Sequence, residues 1–156
     1  MRILLVGAGA VGTFYASKLQ TDTTTVGVVA RSNYAAIAAH GVEMRTHSFG
    51  TYTFVPSAVF ASVADAGADW DVVIVATKAT DNAAVAESLA PALGGRAALV
   101  VVQNGIAIED AFQARFPSTP IVSAVAIVSG EMAAPAVMQQ YRWTRLHLGP
   151  YVNAAG

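Results

Sequence analysis

The chain opens with an apolar run that leads directly into three glycines at fixed spacing. Ile3 to Val6 is a run of four large aliphatic residues, which is typical of a buried strand, and Gly7-Ala8-Gly9-Ala10-Val11-Gly12 follows it. The amphipathic segment from Thr13 to Leu19 comes next and predicts a helix. A strand, a glycine turn and the start of a helix in this order are the pattern of a dinucleotide-binding unit.

Each glycine of this turn has a physical reason in that interpretation. Gly7 permits the tight turn out of the strand, Gly9 lets the backbone approach a pyrophosphate, and Gly12 lets the helix pack closely on the strand. The N–H groups and the dipole at the helix start favour an anion there. The alternative is a Gly/Ala-rich packing turn in another kind of α/β protein. The predicted pyrophosphate loop comprises Gly7, Ala8, Gly9, Ala10, Val11 and Gly12.

Composition narrows the classes of protein that remain. The 156 residues fit one domain, and 54% hydrophobic against 12% charged residues suits a sheet buried on both faces. The net charge of −1, with no basic run, argues against nucleic acid as a partner. No apolar run reaches the roughly 18 residues of a membrane helix, so no membrane partner is expected. Cytoplasm is the default location, and the three isolated histidines predict no metal site.

Strands and helices alternate along most of the chain, and the last third is rich in strands. This order predicts a Rossmann-type α/β fold, a doubly wound and mainly parallel sheet with helices on both faces. We expect the last two strands to form a hairpin about Tyr141-Arg142-Trp143. Beyond the first strand, the predicted strands span 24–30, 42–45, 51–55, 71–76, 97–102, 121–128, 136–140 and 144–148. The later predicted helices span 33–40, 81–93 and 108–116.

Polar residues mark the carboxyl ends of four predicted strands, and a parallel sheet brings such ends to one edge, where ligands bind. They are the glycine turn, Arg31, Thr77-Lys78 and Gln103-Asn104-Gly105. NAD-type domains commonly have an acidic residue after the second strand to hold the ribose 2′-hydroxyl. Arg31 stands there instead, and its cationic fork suits a 2′-phosphate. NADP is therefore the predicted cofactor, although Arg31 as an ordinary solvated arginine is the alternative.

Lys78 and Asn104 are the remaining candidates at this edge. Lys78 at a strand end suits a cofactor phosphate or ribose, or the orientation of a substrate, and its alternative role is an ordinary solvated lysine. The Asn104 amide can donate and accept hydrogen bonds at once, which suits the nicotinamide ribose or a substrate hydroxyl. The alternative is a turn residue, because Asn-Gly is a strong turn former.

Taken together, these motifs resemble the ketopantoate reductase (2-dehydropantoate 2-reductase) family over about residues 1–149. The glycine turn, Ala30-Arg31-Ser32-Asn33-Tyr34, Val75-Ala76-Thr77-Lys78 and Gln103-Asn104-Gly105 occur in this order. The resemblance implies NADPH-dependent reduction of 2-dehydropantoate to pantoate, in pantothenate biosynthesis. It implies that the glycine turn holds the pyrophosphate and that Arg31 and Lys78 meet the 2′-phosphate side. It also makes Lys78 and Asn104 the catalytic candidates, with Asn104 touching cofactor and substrate.

The resemblance also implies a second, helical domain that supplies a proton-donating lysine and a substrate-binding carboxylate. We find no candidate for either in this chain, so residues 1–156 are expected to be the NADP-binding domain, inactive in isolation. A small keto acid is the expected partner, and self-association through the uncovered apolar surface is expected too. Two alternatives stay open: a non-catalytic NADP-sensing module, and a dehydrogenase of a related 2-keto acid.

Overall fold

The computed structural model describes residues 1–152, so the end of the predicted domain, 153–156, lies outside the described residues. Within the described part, nine strands form one sheet with helices on its faces. The strands are β1 Arg2–Val6, β2 Thr25–Val29, β3 Val42–Thr46, β4 Gly50–Phe54, β5 Ala58–Phe60, β6 Val72–Val75, β7 Ala98–Val102, β8 Ile121–Ala134 and β9 Val137–Pro150. The helices are α1 Ala10–Leu19, α2 Tyr34–His40, α3 Val63–Ala66, α4 Asn82–Ser88, α5 Ala90–Leu93 and α6 Asp110–Arg115, with a 3₁₀ turn at Ala79–Asp81.

The order of strands in the sheet is β4-β3-β9-β8-β7-β6-β1-β2-β5. Six of the eight neighbouring pairs are parallel, and the two antiparallel pairs are β3 with β4 and β8 with β9. β1 lies between β2 and β6, with β2 and β5 on one side and β6 to β9 in chain order on the other, as in a doubly wound sheet. β3 and β4 extend the sheet beyond β9. The predicted fold class, a mainly parallel Rossmann-type sheet, is confirmed.

The sheet is buried on both faces because consecutive residues of its central strands point to opposite sides. Leu5 packs into one core cluster with Phe14 of α1, and Leu4 packs into the other with Phe112 of α6. All four side chains are almost completely buried. Burial of one such side chain stabilises the fold by roughly 1.5–3 kcal/mol, so an unbroken aliphatic run suits a strand with no solvent-facing side. No helix among residues 1–152 is long and apolar enough to span a membrane.

The predicted hairpin about Tyr141-Arg142-Trp143 is wrong. Residues 137–150 form the single strand β9, and the turn between β8 and β9 lies at Pro135 and Ala136. The pairing between the two strands shifts register next to Arg142, and Trp143 has a positive φ of 56°. A β-bulge interrupts alternation in the sequence without ending the strand, and this is why the sequence pattern of the segment predicts a turn.

Two further differences concern short elements. The helix predicted over 81–93 is divided into α4 and α5, with Pro91 in the first turn of α5. Proline has no N–H to donate and its ring collides with the carbonyl four residues earlier, so a helix cannot continue through it. β5 and α3 were not predicted, since three- and four-residue elements have too little periodicity to detect.

Candidate functional site

The register of the parallel strands brings the four polar strand ends to one edge of the sheet. Val6, the last residue of β1, lies opposite Val29 of β2 and Val75 of β6, and Val75 lies opposite Val101 of β7. The chain therefore leaves all four strands at nearly the same height. The glycine turn, Arg31, Lys78 and Asn104 follow these ends, as the sequence predicts, and we call this edge the site shelf.

Packing alone explains two of the three glycines in the turn. Gly7 has a φ of +109°, and a Cβ atom there would lie 2.8 Å from the Thr77 backbone nitrogen. A Cβ atom on Gly12 would collide with the Gly7 carbonyl oxygen and would lie 3.0 Å from the Ala76 Cβ atom. Distances this short force the backbone to move, so α1 can pack against β1 and the end of β6 only with glycine at both positions.

Gly9 is different, because nothing in the protein requires a glycine there. A Cβ atom on Gly9 would meet no atom of the described part of the chain within 4 Å. Gly9 is the N-cap residue of α1, no side chain caps the helix, and no acidic residue lies in its first turn. The start of α1 therefore presents backbone N–H groups and open space together, which is the arrangement that binds an anion.

Arg31 leaves the sheet one residue after the buried Ala30, whose backbone N–H donates to the Phe60 carbonyl at 3.0 Å. The Arg31 side chain is exposed, and among the side chains that the structure describes none forms an ion pair with it. No acidic residue occurs between Gly27 and Glu43. The guanidinium group is therefore available to an anionic ligand at the β2 end of the site shelf.

Lys78 and Asn104 lie on adjacent loops, because β6 and β7 are paired neighbours. Both side chains are exposed. Lys78 has an extended backbone (φ −66°, ψ 142°) and precedes the 3₁₀ turn, and Asn104 is followed by Gly105, with φ of +157°. The structure thus brings together the cationic group and the amide that the sequence analysis singled out, on an open surface of the protein.

Beneath these two loops lies a pair of amide side chains that the sequence analysis gave no role. The Gln103 Nε2 atom donates to Asn82 Oδ1, and the Asn82 Nδ2 atom donates back to Gln103 Oε1, both at 2.9 Å. Gln103 is only 5% exposed. One signal was available, since a glutamine directly after the apolar β7 must find hydrogen-bond partners if it is buried. Asn82, near the start of a helix, carried no such signal.

Glu109 is also buried, at 6% exposure, and its Oε1 atom accepts a hydrogen bond from the Ser123 hydroxyl of β8. The sequence predicts Glu109 in the first turn of a helix beside Asp110, but α6 begins one residue later and Glu109 is its N-cap residue. Asp110 instead accepts a hydrogen bond from the Tyr151 hydroxyl at 2.7 Å. That bond, with burial and the nearby carboxylates, raises the pKa of Tyr151. These contacts fix α6 against the end of the β8–β9 hairpin.

Three aromatic side chains, Tyr15, Trp70 and Trp143, lie away from the site shelf. Trp70 is buried against Phe60, and the Tyr15 hydroxyl donates to the Arg145 carbonyl at 2.7 Å, so both have structural contacts. Trp143 is largely exposed on the bulge of β9. Among the described side chains of residues 1–152, from which that of Asp81 is left out, no three histidine or acidic side chains are grouped as ligands for a metal ion.

Comparison with known proteins gives consistent matches. The family model for ketopantoate reductase PanE/ApbA matches residues 3–153. The chain is 31% identical over 149 residues to a 2-dehydropantoate 2-reductase of Mycobacterium tuberculosis (strain ATCC 25618 / H37Rv), covering 92% of this chain and 45% of that protein. It is 24% identical over 149 residues to a 2-dehydropantoate 2-reductase of Nostoc sp., covering 96% and 46%.

A solved structure agrees with these relatives. The 2-dehydropantoate 2-reductase from Methylococcus capsulatus superimposes with a TM-score of 0.89 at 33% identity, covering 97% of this chain and 49% of that one. The chain thus spans about half the length of the relatives that it matches. The resemblance inferred from the four motifs is confirmed, and the chain belongs to the ketopantoate reductase PanE/ApbA family.

Proposed function

We propose that this chain is the NADP-binding domain of a reductase that converts 2-dehydropantoate to pantoate. The observation that carries the proposal is the open space at Gly9. Gly7 and Gly12 are needed for packing, whereas Gly9 leaves room at an uncapped helix start that no described residue fills. A pyrophosphate bound to the backbone N–H groups there explains why residue 9 has no side chain.

The charges along the site shelf support NADP rather than NAD. Arg31 follows β2, where a carboxylate would repel a 2′-phosphate and an arginine attracts it. With the pyrophosphate at Gly9 in the middle, the adenosine end then lies toward β2 and the nicotinamide end toward β6 and β7. The cofactor-binding residues in this proposal are Gly7, Ala8, Gly9, Ala10, Val11, Gly12, Arg31, Lys78 and Asn104.

Lys78 and Asn104 are proposed as the groups that meet the substrate as well. When bound, NADPH supplies the hydride that reduces the keto carbon. The Lys78 ammonium group then stabilises the negative charge that develops on the keto oxygen, and the Asn104 amide orients the nicotinamide ribose and the substrate. Protonation of that oxygen needs a correctly placed acid, and we assign this role to a lysine of the family's helical domain. We assign the carboxylate that binds the substrate to the same helical domain.

An exposed apolar surface next to the site shelf supports the proposal that a second domain covers this part of the sheet. Val125 and Ile127 on β8 lie beyond the end of β7 and are 49% and 39% exposed. We propose that the helical domain covers this surface in the complete protein and that, without it, copies of the chain associate through the surface. Sedimentation of the wild type and of Val125→Ser/Ile127→Ser measures this self-association.

The proposed location is the cytoplasm, with a small keto acid as the partner.

Calorimetric titration of the chain with NADPH and with NADH tests the cofactor. Tighter binding of NADPH supports the proposal, and no binding of either nucleotide contradicts it. The substrate is tested separately, by following NADPH absorbance with 2-dehydropantoate and the product of the complete reading frame. Turnover of a different 2-keto acid would replace the proposed substrate and leave the cofactor proposal standing.

A further inference from the structure

We infer that Gln103 and Asn82 form a positioning pair, which sets the Lys78 loop and the Asn104 loop at a fixed separation and so preforms the nicotinamide half of the nucleotide site. The inference rests on the proposed function for the ligand. The pair itself is defined by geometry alone. Neither residue is assigned contact with cofactor or substrate, and both act through the loops that they hold.

The two amides satisfy each other and leave further hydrogens for the backbone. Beyond the reciprocal bonds at 2.9 Å, Gln103 Nε2 also donates to the Thr77 carbonyl at 2.9 Å and lies 3.2 Å from its hydroxyl. Asn82 Nδ2 also donates to the Ile108 carbonyl at 2.9 Å. The two amide groups therefore tie together the ends of β6 and β7, the start of α4, and the segment that leads to α6.

The backbone anchors lie directly beside the proposed site residues. Thr77 precedes Lys78, and Gln103 precedes Asn104. Because the backbone sets the position of each Cα atom and the direction of its Cα–Cβ bond, holding the Thr77 carbonyl to Gln103 fixes together the points from which the Lys78 and Asn104 side chains extend. A hydrogen bond across 26 residues of sequence achieves this without any contact between the two exposed side chains.

The rest of the Asn104 loop needs these anchors. Ile106 is 98% exposed and Ala107 has a positive φ of 56°, so the loop gains little from its own packing and holds a conformation that a non-glycine residue resists. Asn82 holds the loop at the Ile108 carbonyl, and Glu109 is bonded to Ser123 one residue later. The four exposed residues 104–107 thus connect two segments that are held by hydrogen bonds, Gln103 on one side and Ile108 with Glu109 on the other.

Gln103→Leu tests the pair, because leucine keeps the apolar bulk of the side chain and removes all of its hydrogen bonds. Two probes separate the halves of the site: NADPH, and adenosine 2′,5′-bisphosphate, which lacks nicotinamide. We expect the variant to lose about tenfold in affinity for NADPH, the scale of one or two lost hydrogen bonds, and to keep its affinity for the bisphosphate. The swapped pair Asn82→Gln/Gln103→Asn restores an amide–amide contact and should recover part of the loss.

Hydrogen exchange provides a readout that needs no ligand. In Gln103→Leu, the backbone amides of 77–82 and of 104–108 should exchange faster together, while those of β1 stay protected. Gln113→Leu is the matched control, because the Gln113 side chain donates to the Pro117 carbonyl just beyond α6 and lies outside both loops, so neither loop should change.

Two results would overturn the inference. Equal loss of both nucleotide probes would make the pair a general support of the fold, and unchanged exchange in either loop would show that the pair does not hold it. If the wild-type chain binds neither probe, the proposed NADP function fails, and the exchange measurement still decides whether the pair positions the two loops.

Discussion

The backbones of Gly7 and Gly12 approach so closely that a side chain on Gly12 would collide with the Gly7 carbonyl oxygen. The same Cβ atom would lie 3.0 Å from Ala76 Cβ and 3.1 Å from Leu5 Cδ1. The contact joins the first turn of α1 to the end of β1 and to the residue after β6. Packing of α1 on the sheet and the shape of the glycine turn therefore depend on one short backbone segment.

Gly12→Ala should destabilise the protein by about 1–3 kcal/mol, the usual cost of forcing extra volume into a packed site. Urea unfolding followed by circular dichroism measures this free energy. Gly95→Ala is the control, because a Cβ atom on Gly95 would meet nothing within 4 Å. Equal stabilities of the two variants would show that α1 moves away from β1 at little cost.

Gly9→Val should abolish NADPH binding and leave the fold intact. The backbone of Gly9 is extended (φ −88°, ψ −177°), which valine adopts easily, and its side chain would occupy the open space assigned to the pyrophosphate. Calorimetry measures binding and circular dichroism measures folding, with Gly95→Val as the control for an added side chain. A folded Gly9→Val protein that still binds NADPH would mean that the glycine turn serves packing alone.

Arg31→Ala should weaken NADPH binding by about tenfold or more, because a charge-assisted contact to a 2′-phosphate is worth roughly 1.5–3 kcal/mol. Binding of NADH, which lacks that phosphate, should barely change. Arg96→Ala removes another exposed arginine, outside the site shelf, and should leave both affinities at the wild-type level. Equal wild-type affinities for NADPH and NADH would contradict the role given to Arg31.

Asp110→Asn should lower the pKa of Tyr151 toward its ordinary value, since the hydrogen bond to the Asp110 carboxylate is the main cause of the raised pKa. In the wild type, the raised pKa means that the phenol contributes stability at pH values below its unfolded pKa, near 10. That stability is lost as the pH rises through the folded pKa. Ultraviolet titration of the wild type and Asp110→Asn, each against Tyr151→Phe, isolates this phenol, and identical titration curves would contradict the assignment.

This chain alone should bind NADPH yet reduce 2-dehydropantoate at a negligible rate. Lys78 and Asn104 are exposed on the open site shelf, and no described part of residues 1–152 covers them to exclude water or to place an acid. Loss of general-acid help typically costs 10²–10⁴-fold, and loss of positioning can cost more. A steady-state assay of NADPH absorbance decides this. Turnover within about tenfold of an ordinary rate, on the order of 10 per second, would require the proton donor to lie in this chain and make Lys78 the first candidate.

Local sequence was sufficient to predict the central strands and the sheet edge at which the candidate site residues lie. β1, β2, β6 and β7 are aliphatic runs that only a strand covered on both faces can bury, and glycine or polar residues end each of them. Once these strands are parallel neighbours, the positions of Arg31, Lys78 and Asn104 follow without knowledge of any contact. The sequence by itself therefore determined the fold class, the shelf and the family.

Tertiary structure decided the features that depend on residues distant in the chain. The bulge at Trp143 exists because β9 follows β8 through a shift in pairing, and Glu109 is buried because Ser123 of β8 reaches it. The bond from Gln103 to Asn82 spans 21 residues, and neither side chain indicates its partner. Periodicity and turn chemistry report only on near neighbours, so register shifts and buried hydrogen bonds become visible only when the distant segments are packed together.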